Sequence, residues 1–307
     1  MAIRSNTWNV RYLYAYLNNS SLLLESAATG LIPGISREDI LSKKLICPPL
    51  PEQKAIATAL SDIDNLLVVL DRLIAKKQNL KQSAMQELLT GKKRLPGFSV
   101  EWKTLNMSEK STLKARIGWQ GLTTAEYLES GEYYLVTGTD FVDGQIDWSN
   151  CCYVAYERYI QDKNIQIRQN DILLTKDGTI GKVSFVDRLP GLTTLNIGVF
   201  VIRPKNNAYD PKFFYYVLTS QIFNDFLEKL QAGSTISHLY QKDFVTFSFV
   251  APTNLSEQTA IANILSDMDT EIAALKKRGD KTQNIEQAMM QSQTLNSTQK
   301  CPHYWMT

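Results

Sequence analysis

An α+β fold follows from three features of this sequence. A long helical segment occurs twice, an apolar seam runs along both copies, and short β-rich runs separated by turn residues lie between them. The expected architecture is one mixed α/β domain plus two long helices forming a coiled-coil-like spacer. The duplication is explicit: Leu50-Pro51-Glu52-Gln53 with Ala55-Ile56-Ala57 and Leu60-Ser61-Asp62-Ile63-Asp64 returns as Leu255-Ser256-Glu257-Gln258 with Ala260-Ile261-Ala262 and Leu265-Ser266-Asp267-Met268-Asp269. Aligned without a gap, roughly 17 of about 37 positions are identical, polar ones included, which marks an internal repeat rather than two unrelated core helices.

In the first copy Leu60, Ile63, Leu67, Leu70 and Ile74 recur by threes and fours, and in the second Leu265, Met268, Ile272 and Leu275 hold the matching places. This spacing lines one side of a helix for a partner helix. A helix over residues 52–90 would extend about 58 Å at ~1.5 Å per residue, a length suited to spacing other parts apart. The second copy carries Gly279-Asp280 where the first has Ile74-Ala75, and glycine inside a helix costs about 1 kcal/mol relative to alanine.

Five segments are expected. Residues 1–49 read as the end of a globular unit. Asn9-Val10-Arg11-Tyr12-Leu13-Tyr14 resembles the aromatic stretch Asp210-Pro211-Lys212-Phe213-Phe214-Tyr215, and Ile35-Ser36 parallels Ile236-Ser237. The repeated unit is thus a globular part followed by a helix, with most of the first globular part missing. Residues 50–95 form the first spacer helix, closed by Gly91-Lys92-Lys93-Arg94-Leu95-Pro96-Gly97. A glycine and a proline stop the helix there, and the cations complement its dipole or touch phosphate. Residues 96–252 form the complete globular domain, 253–292 the second spacer helix, and 293–307 a disordered tail.

Within 96–252, strands are expected at Tyr133-Tyr134-Leu135-Val136, Ile165-Gln166-Ile167, Asp171-Ile172-Leu173-Leu174, Lys182-Val183-Ser184-Phe185-Val186, Ile197-Gly198-Val199-Phe200-Val201-Ile202 and Phe247-Ser248-Phe249-Val250. Each is rich in β-branched and aromatic residues. Helices are expected over 124–130 and 211–231.

A formal charge of +2 announces no broad basic field, so nucleic-acid binding would rest on local clusters. No apolar run approaches the ~20 residues needed to span a bilayer, and no signal peptide is evident, so the expected location is cytoplasmic, with no membrane partner. Cys47, Cys151, Cys152 and Cys301 lack metal-site spacing and read as reduced thiols; no metal site is expected.

Three polar loops carry side chains of the kinds that DNA contacts use, and are the candidate DNA-reading loops. Arg116-Ile117-Gly118-Trp119-Gln120-Gly121-Leu122-Thr123-Thr124 offers Arg116, Trp119, Gln120, Thr123 and Thr124. Arg and Gln make bidentate contacts to guanine and adenine edges, and hydroxyls reach phosphate. The turn Lys176-Asp177-Gly178-Thr179-Ile180-Gly181-Lys182 offers Lys176, Thr179 and Lys182, and Gly233-Ser234-Thr235-Ile236-Ser237-His238 offers Ser234, Thr235 and His238. Taken singly each is an ordinary connection; their shared chemistry on one scaffold favours DNA.

The helical pattern from Pro48-Pro49-Leu50-Pro51-Glu52-Gln53 to Met85-Gln86-Glu87-Leu88-Leu89-Thr90-Gly91 resembles the specificity (S) subunit of type I restriction-modification enzymes. Asp171-Ile172-Leu173-Leu174-Thr175-Lys176-Asp177-Gly178-Thr179-Ile180-Gly181-Lys182-Val183 and Gly233-Ser234-Thr235-Ile236-Ser237-His238-Leu239 are similar to recurrent motifs of that family's target recognition domains. The resemblance implies a non-catalytic reader of double-stranded DNA in which antiparallel helices hold recognition domains apart, each reading half of a split site. It also implies methyltransferase (M) subunits docked on the helices and restriction (R) subunits joining them. S-adenosylmethionine and ATP are expected only on those partners, with no cofactor on this chain. The sequence departs from that pattern in lacking most of a first recognition domain and in having Ser292-Gln293-Thr294-Leu295-Asn296 after Met290-Gln291. A silent allele serving only as a protein scaffold, or a half-subunit that homodimerises, are the alternative readings. Catalysis by the chain itself is not expected. Cys47-Pro48-Pro49-Leu50 lacks the groups of an amino-methyltransferase, Asp171 with Lys176 lacks companion carboxylates for a nuclease metal, and His238 and His303 form no triad.

Overall fold

The computed structural model describes residues 8–19, 48–231 and 238–295. The chain divides into two compact units, one comprising Met1–Gln78 and Thr270–Thr307, the other Asn79–Asp269.

In the first unit the short helix α1 (Val10–Asn19) packs on the start of the long helix α2 (Leu50–Leu88). Tyr12, Tyr16 and Ala57 are buried together, with Trp8 and Ile56 beside them. Polar groups fix the contact. The Asn9 side chain accepts from the Arg11 and Tyr12 amides at the open end of α1, both at 3.1 Å. The Asn9 amide donates to Gln53 Oε1 and Gln53 Nε2 donates to the Pro48 carbonyl, each at 2.8 Å. Arg11 reaches the Ser61 hydroxyl. A buried amide satisfied on both sides in this way locks one element to another.

The second unit is built on a four-stranded antiparallel sheet. Its β1 (Trp102–Asn106) is followed by α3 (Met107–Lys110), β2 (Ser111–Ala115), β3 (Tyr133–Val136), β4 (Phe141–Val142), β5 (Gln145–Ile146) and β6 (Cys152–Val154). Then come α4 (Tyr156–Ile160), β7 (Ile172–Thr175), β8 (Val183–Phe185), β9 (Leu192–Leu195), β10 (Val199–Pro204), α5 (Pro211–Leu218), α6 (Gln221–Gln231), α7 (Gln241–Phe244) and β11 (Ser248–Pro252). The last helix, α8 (Leu255–Leu295), runs into the first unit. The main sheet has the order β2-β10-β7-β8, a smaller one β6-β3-β9, and β1 pairs with β11.

Alternation along β7 and β10 explains why both faces of the main sheet are covered. Ile172, Leu174, Phe200 and Ile202 face a core with Phe213, Phe214 and Phe223 of α5 and α6, whereas Leu173, Val199 and Val201 face Val136, Leu195, Ile165 and Ile167. Met85 and Leu88 from the end of one long helix, Leu89 just past it, and Ile261, Ala262 and Leu265 from the other helix belong to the first of these cores. The compact unit therefore reaches beyond 96–252.

The glutamine device recurs here. Asp210 caps α5 by accepting from the Phe213 amide, its own amide donates to Gln258 Oε1, and Gln258 Nε2 donates to the Pro252 carbonyl, all at 2.8 Å. Asp210 is to α5 and Gln258 what Asn9 is to α1 and Gln53. The duplication thus includes side-chain bonding as well as sequence.

The long helices lie antiparallel in the first unit. Lys77 pairs with Glu271 at 2.6 Å, while Asp64, thirteen residues earlier, meets Glu286, fifteen residues later. In the second unit Lys81 pairs with Asp269 at 2.5 Å. The expected seam residues Leu60, Leu70, Leu265 and Ile272 are buried and Ile63, Leu67, Ile74, Met268 and Leu275 half-buried. Gly279 lies within α8, which stays continuous around it.

Several local expectations are corrected. Residues 124–130 give only a 3-10 turn, Thr124–Glu126, because Leu128 and Tyr153 exchange backbone hydrogen bonds and draw the chain into a β-bridge. The helix over 211–231 breaks at Thr219 and Ser220, where Ser220 Oγ accepts from the Ile222 amide and starts a second helix. Ile165-Gln166-Ile167 is a 3-10 turn (Lys163–Ile165) and a single bridge from Gln166 to Thr194. The final helix extends past 292 to Leu295; the remainder of the tail, with Cys301 and His303, lies outside the described residues, as do Cys47 and the stretch around Ile35-Ser36. Among the described residues no helix is long and apolar enough to cross a membrane. Burial pushes the Cys151 thiol up to about 12.

Candidate nucleic-acid interface

Loops from separate parts of the sequence meet at one edge of the sheet domain in the second unit. The segment after β2 begins with Arg116, whose side chain is only 2% exposed. Its Nε donates to the Leu195 carbonyl at 2.7 Å, and its Nη atoms to Thr194 Oγ1 at 3.1 Å, Gln161 Oε1 at 3.2 Å and the Arg158 carbonyl at 3.4 Å. Burial, then repulsion from Arg158, lowers its pKa, although an arginine stays charged. The sequence expectation that Arg116 contacts DNA is therefore corrected: its guanidinium is spent inside the domain, tying the end of β2 to β9.

Beyond it the 3-10 turn Gly118–Gln120 closes through bonds from the Gln120 amide to the Ile117 carbonyl and from the Gly121 amide to the Gly118 carbonyl. Trp119 points outward and Gln120 inward, where its Oε1 has no partner among the described residues. The Leu122 amide donates to Asn196 Oδ1, and Asn196 Nδ2 donates to the Tyr127 hydroxyl at 2.5 Å. Thr123 is held locally, its amide and hydroxyl donating to Glu126 Oε2, while Glu126 also pairs with Arg158. These bonds hold the Glu126 carboxyl below its ordinary range, the Thr123 amide contributing most. Thr124 is exposed.

The turn joining β9 to β10 links this loop to the next. A side chain at Gly121 would meet Ile197 at 3.1 Å, so the two loops touch. Gly198 has φ +90°, a conformation available to glycine, and its carbonyl accepts from the Lys176 amide at 2.8 Å. In the β7–β8 hairpin Thr175 Oγ1 donates to the Thr179 carbonyl at 2.5 Å and accepts from the Lys182 amide at 2.9 Å. That leaves the side chains of Thr179 and Lys182 exposed. Lys176 is more engaged than expected: its ammonium lies 5.6 Å over the Phe200 ring and 3.8 Å from Asp177 Oδ2. Asp177 forms a bridge to His238, their side chains are hydrogen-bonded, and the His238 ring lies against Tyr240. Ser234 and Thr235 lie outside the described residues.

The edge thus joins the 117–124 loop, the 196–198 turn, the 176–182 hairpin and the 238–242 segment. Sequence reasoning missed Asn196 and Ile197, although Asn196-Ile197-Gly198 between apolar runs is a turn signal. It also missed Tyr240 and Lys242, whose ammonium lies 5.5 Å over the Tyr240 ring. Asp171, considered for metal chemistry, is a buried partner of Arg203, which donates to its two oxygens at 2.6 Å each. Burial raises its pKa despite that pair. Among the described residues no group of three or more His, Cys, Asp or Glu side chains is placed to hold a metal ion.

Among the described residues, a long helix that occurs twice and a sheet domain rimmed by loops define a modular architecture. A family model described as the type I restriction modification DNA specificity domain matches residues 2–82 and 120–287, well over half of the chain, and the chain belongs to that family. It is 24% identical over 297 residues to the type I restriction enzyme MjaVIII specificity subunit of Methanocaldococcus jannaschii, covering 91% of this chain and 68% of that protein. It is 21% identical to the EcoBI specificity subunit of Escherichia coli, covering 90% of this chain and 62% of the relative. The crystal structure of a type I restriction-modification S subunit from M. genitalium matches the fold with a TM-score of 0.65 at 19% identity, over 94% of this chain and 73% of that one. A structure concerned with complex assembly and conformational transition of the type I R-M system matches with a TM-score of 0.57, also at 19% identity, over 95% of this chain and 73% of that one. The chain spans roughly two thirds of the curated relatives it matches.

Proposed function

We propose that this specificity subunit reads one half of a bipartite double-stranded DNA site through the loop edge of its recognition domain, and that its long helices dock methyltransferase subunits, which restriction subunits join. The observation that carries this reading is the convergence of the four segments, which leaves Trp119, Thr124, Thr179, Lys182, Tyr240 and Lys242 exposed around one edge. Cations and hydroxyls suit phosphate, while the aromatic groups suit bases. Family membership supports the same reading. The chemistry, with S-adenosylmethionine and ATP, belongs to the partners in this account, and the chain works as a non-catalytic cytoplasmic subunit.

The test is co-purification with a methyltransferase subunit, followed by binding to its methylated sequence in competition with random duplex. Lys182→Ala with Lys242→Ala should weaken DNA binding at least tenfold and leave the subunit complex intact. Unchanged DNA binding would refute the assigned edge.

One recognition domain lies among the described residues, whereas the helical element is duplicated. That favours, as a second reading, a homodimer in which two copies supply two reading heads. Mass measurement of the purified complex distinguishes one copy from two.

A further inference from the structure

We infer that Trp119 is a wedge that enters the base stack of bound DNA, so that part of the sequence preference of this domain is a preference for an easily opened base step. The inference rests on the DNA-reading function proposed above. Trp119 is 78% exposed, and it is flanked by Ile117 at 53% and Ile197 at 42%. Such a grouping at the tip of a loop exposes apolar surface with no benefit to the free protein.

The base under this tip is fixed in several independent ways. The 3-10 turn bonds to itself at 2.9 and 3.1 Å, the Leu122 amide is held by Asn196, and Arg116 anchors the strand end from within. Gly121 allows Ile197 to lie against the turn, where any larger residue would meet its side chain at 3.1 Å and the Gly118 carbonyl at 3.0 Å. A rigid support is what an inserting side chain requires, because a loose one would yield before the stacked bases did. Gln120, next to Trp119 in the same turn, is turned inward and only 9% exposed, which seats the turn on the domain.

The charges nearby select the occupant. Lys182 and Thr179 on the neighbouring hairpin are exposed, so a phosphate backbone can run beside the apolar tip. A duplex buries an indole by separating adjacent base pairs, and pyrimidine–purine steps open at least cost.

The test uses the full chain complexed with its methyltransferase subunits and a duplex containing its methylated site, with 2-aminopurine at successive positions of the half-site. One step should brighten several-fold on binding. That brightening should vanish with Trp119→Ala and be partly retained with Trp119→Phe, while Trp119→Ala still binds DNA with affinity reduced about tenfold. The inference is overturned if specific binding is intact but no step brightens, or if all brightening persists in Trp119→Ala and therefore arises from a partner. Absence of any sequence-specific binding by the unaltered complex would overturn the underlying DNA-reading function as well.

Discussion

Glu286 faces Asp64 at the place where the internal repeat puts a salt bridge. Lys81 and Glu286 occupy equivalent positions in the two copies, as do Asp64 and Asp269. One copy therefore yields the pair Lys81–Asp269 at 2.5 Å, and the other yields two carboxyls in contact. Partial burial, then repulsion by Asp64 and their shared hydrogen bond, raises the Glu286 pKa above its ordinary value of 4.5.

Replacing Glu286 by Lys should restore the pairing that the first copy has, adding about 0.5 kcal/mol as expected for an exposed ion pair. The sign of the pH effect follows from the raised pKa. The folded chain binds the Glu286 proton more tightly than the unfolded chain does, so this contribution is fully present below about 4.5 and is lost as pH rises through the higher folded value. Thermal unfolding of the unaltered protein and Glu286→Gln across pH 4–7 checks this. The advantage of Gln should grow with pH.

Arg116→Ala should destabilise the recognition domain by about 2–4 kcal/mol, since it strands the buried Leu195 carbonyl and Thr194 hydroxyl and empties a buried site. Urea unfolding measures the loss. DNA binding should decline only as far as the folded fraction declines, which separates an anchor from a contact.

Gln258→Ala removes both halves of a buried amide clasp and should cost about 1–3 kcal/mol. Hydrogen exchange at the Asp210 amide should accelerate with it, whereas Gln53→Ala should accelerate exchange at Asn9 and leave Asp210 unchanged. Acceleration at neither amide would contradict the duplicated role assigned to the two glutamines.

The helices were legible because their information is local and periodic: Leu60, Leu70, Leu265 and Ile272 recur along one seam, and the repeat supplies a second reading of each position. The strands of the buried main sheet were legible for the same reason, since Ile172-Leu173-Leu174 is apolar on both faces. Arg116 was misjudged because nothing in Arg116-Ile117-Gly118 reveals whether a guanidinium turns outward or toward the carbonyl of Leu195, 79 residues away. Residues 124–130 misled in a similar way, their weak helical pattern being overridden by pairing with Tyr153. The candidate loops could be named from composition, but their meeting at one edge depends on Gly198, Asn196 and the strand order, which are tertiary facts.

Lys182→Ala should reduce the steepness of the salt dependence of DNA binding by about one released counterion. It should lower affinity for specific and random duplex alike. Titrations between low and moderate salt check it, and an unchanged slope would remove Lys182 from the phosphate path.

The central claim is that the loop edge of the domain spanning residues 79–269 selects DNA sequence. Mapping methylated sites across the genome of cells expressing this chain with its methyltransferase partner tests it most directly, when repeated with the 117–124 and 176–182 loops exchanged for those of a relative. The account predicts a split motif of fixed spacing whose one half changes with the exchanged loops. An identical motif after the exchange, with the protein folded and the complex formed, would contradict it.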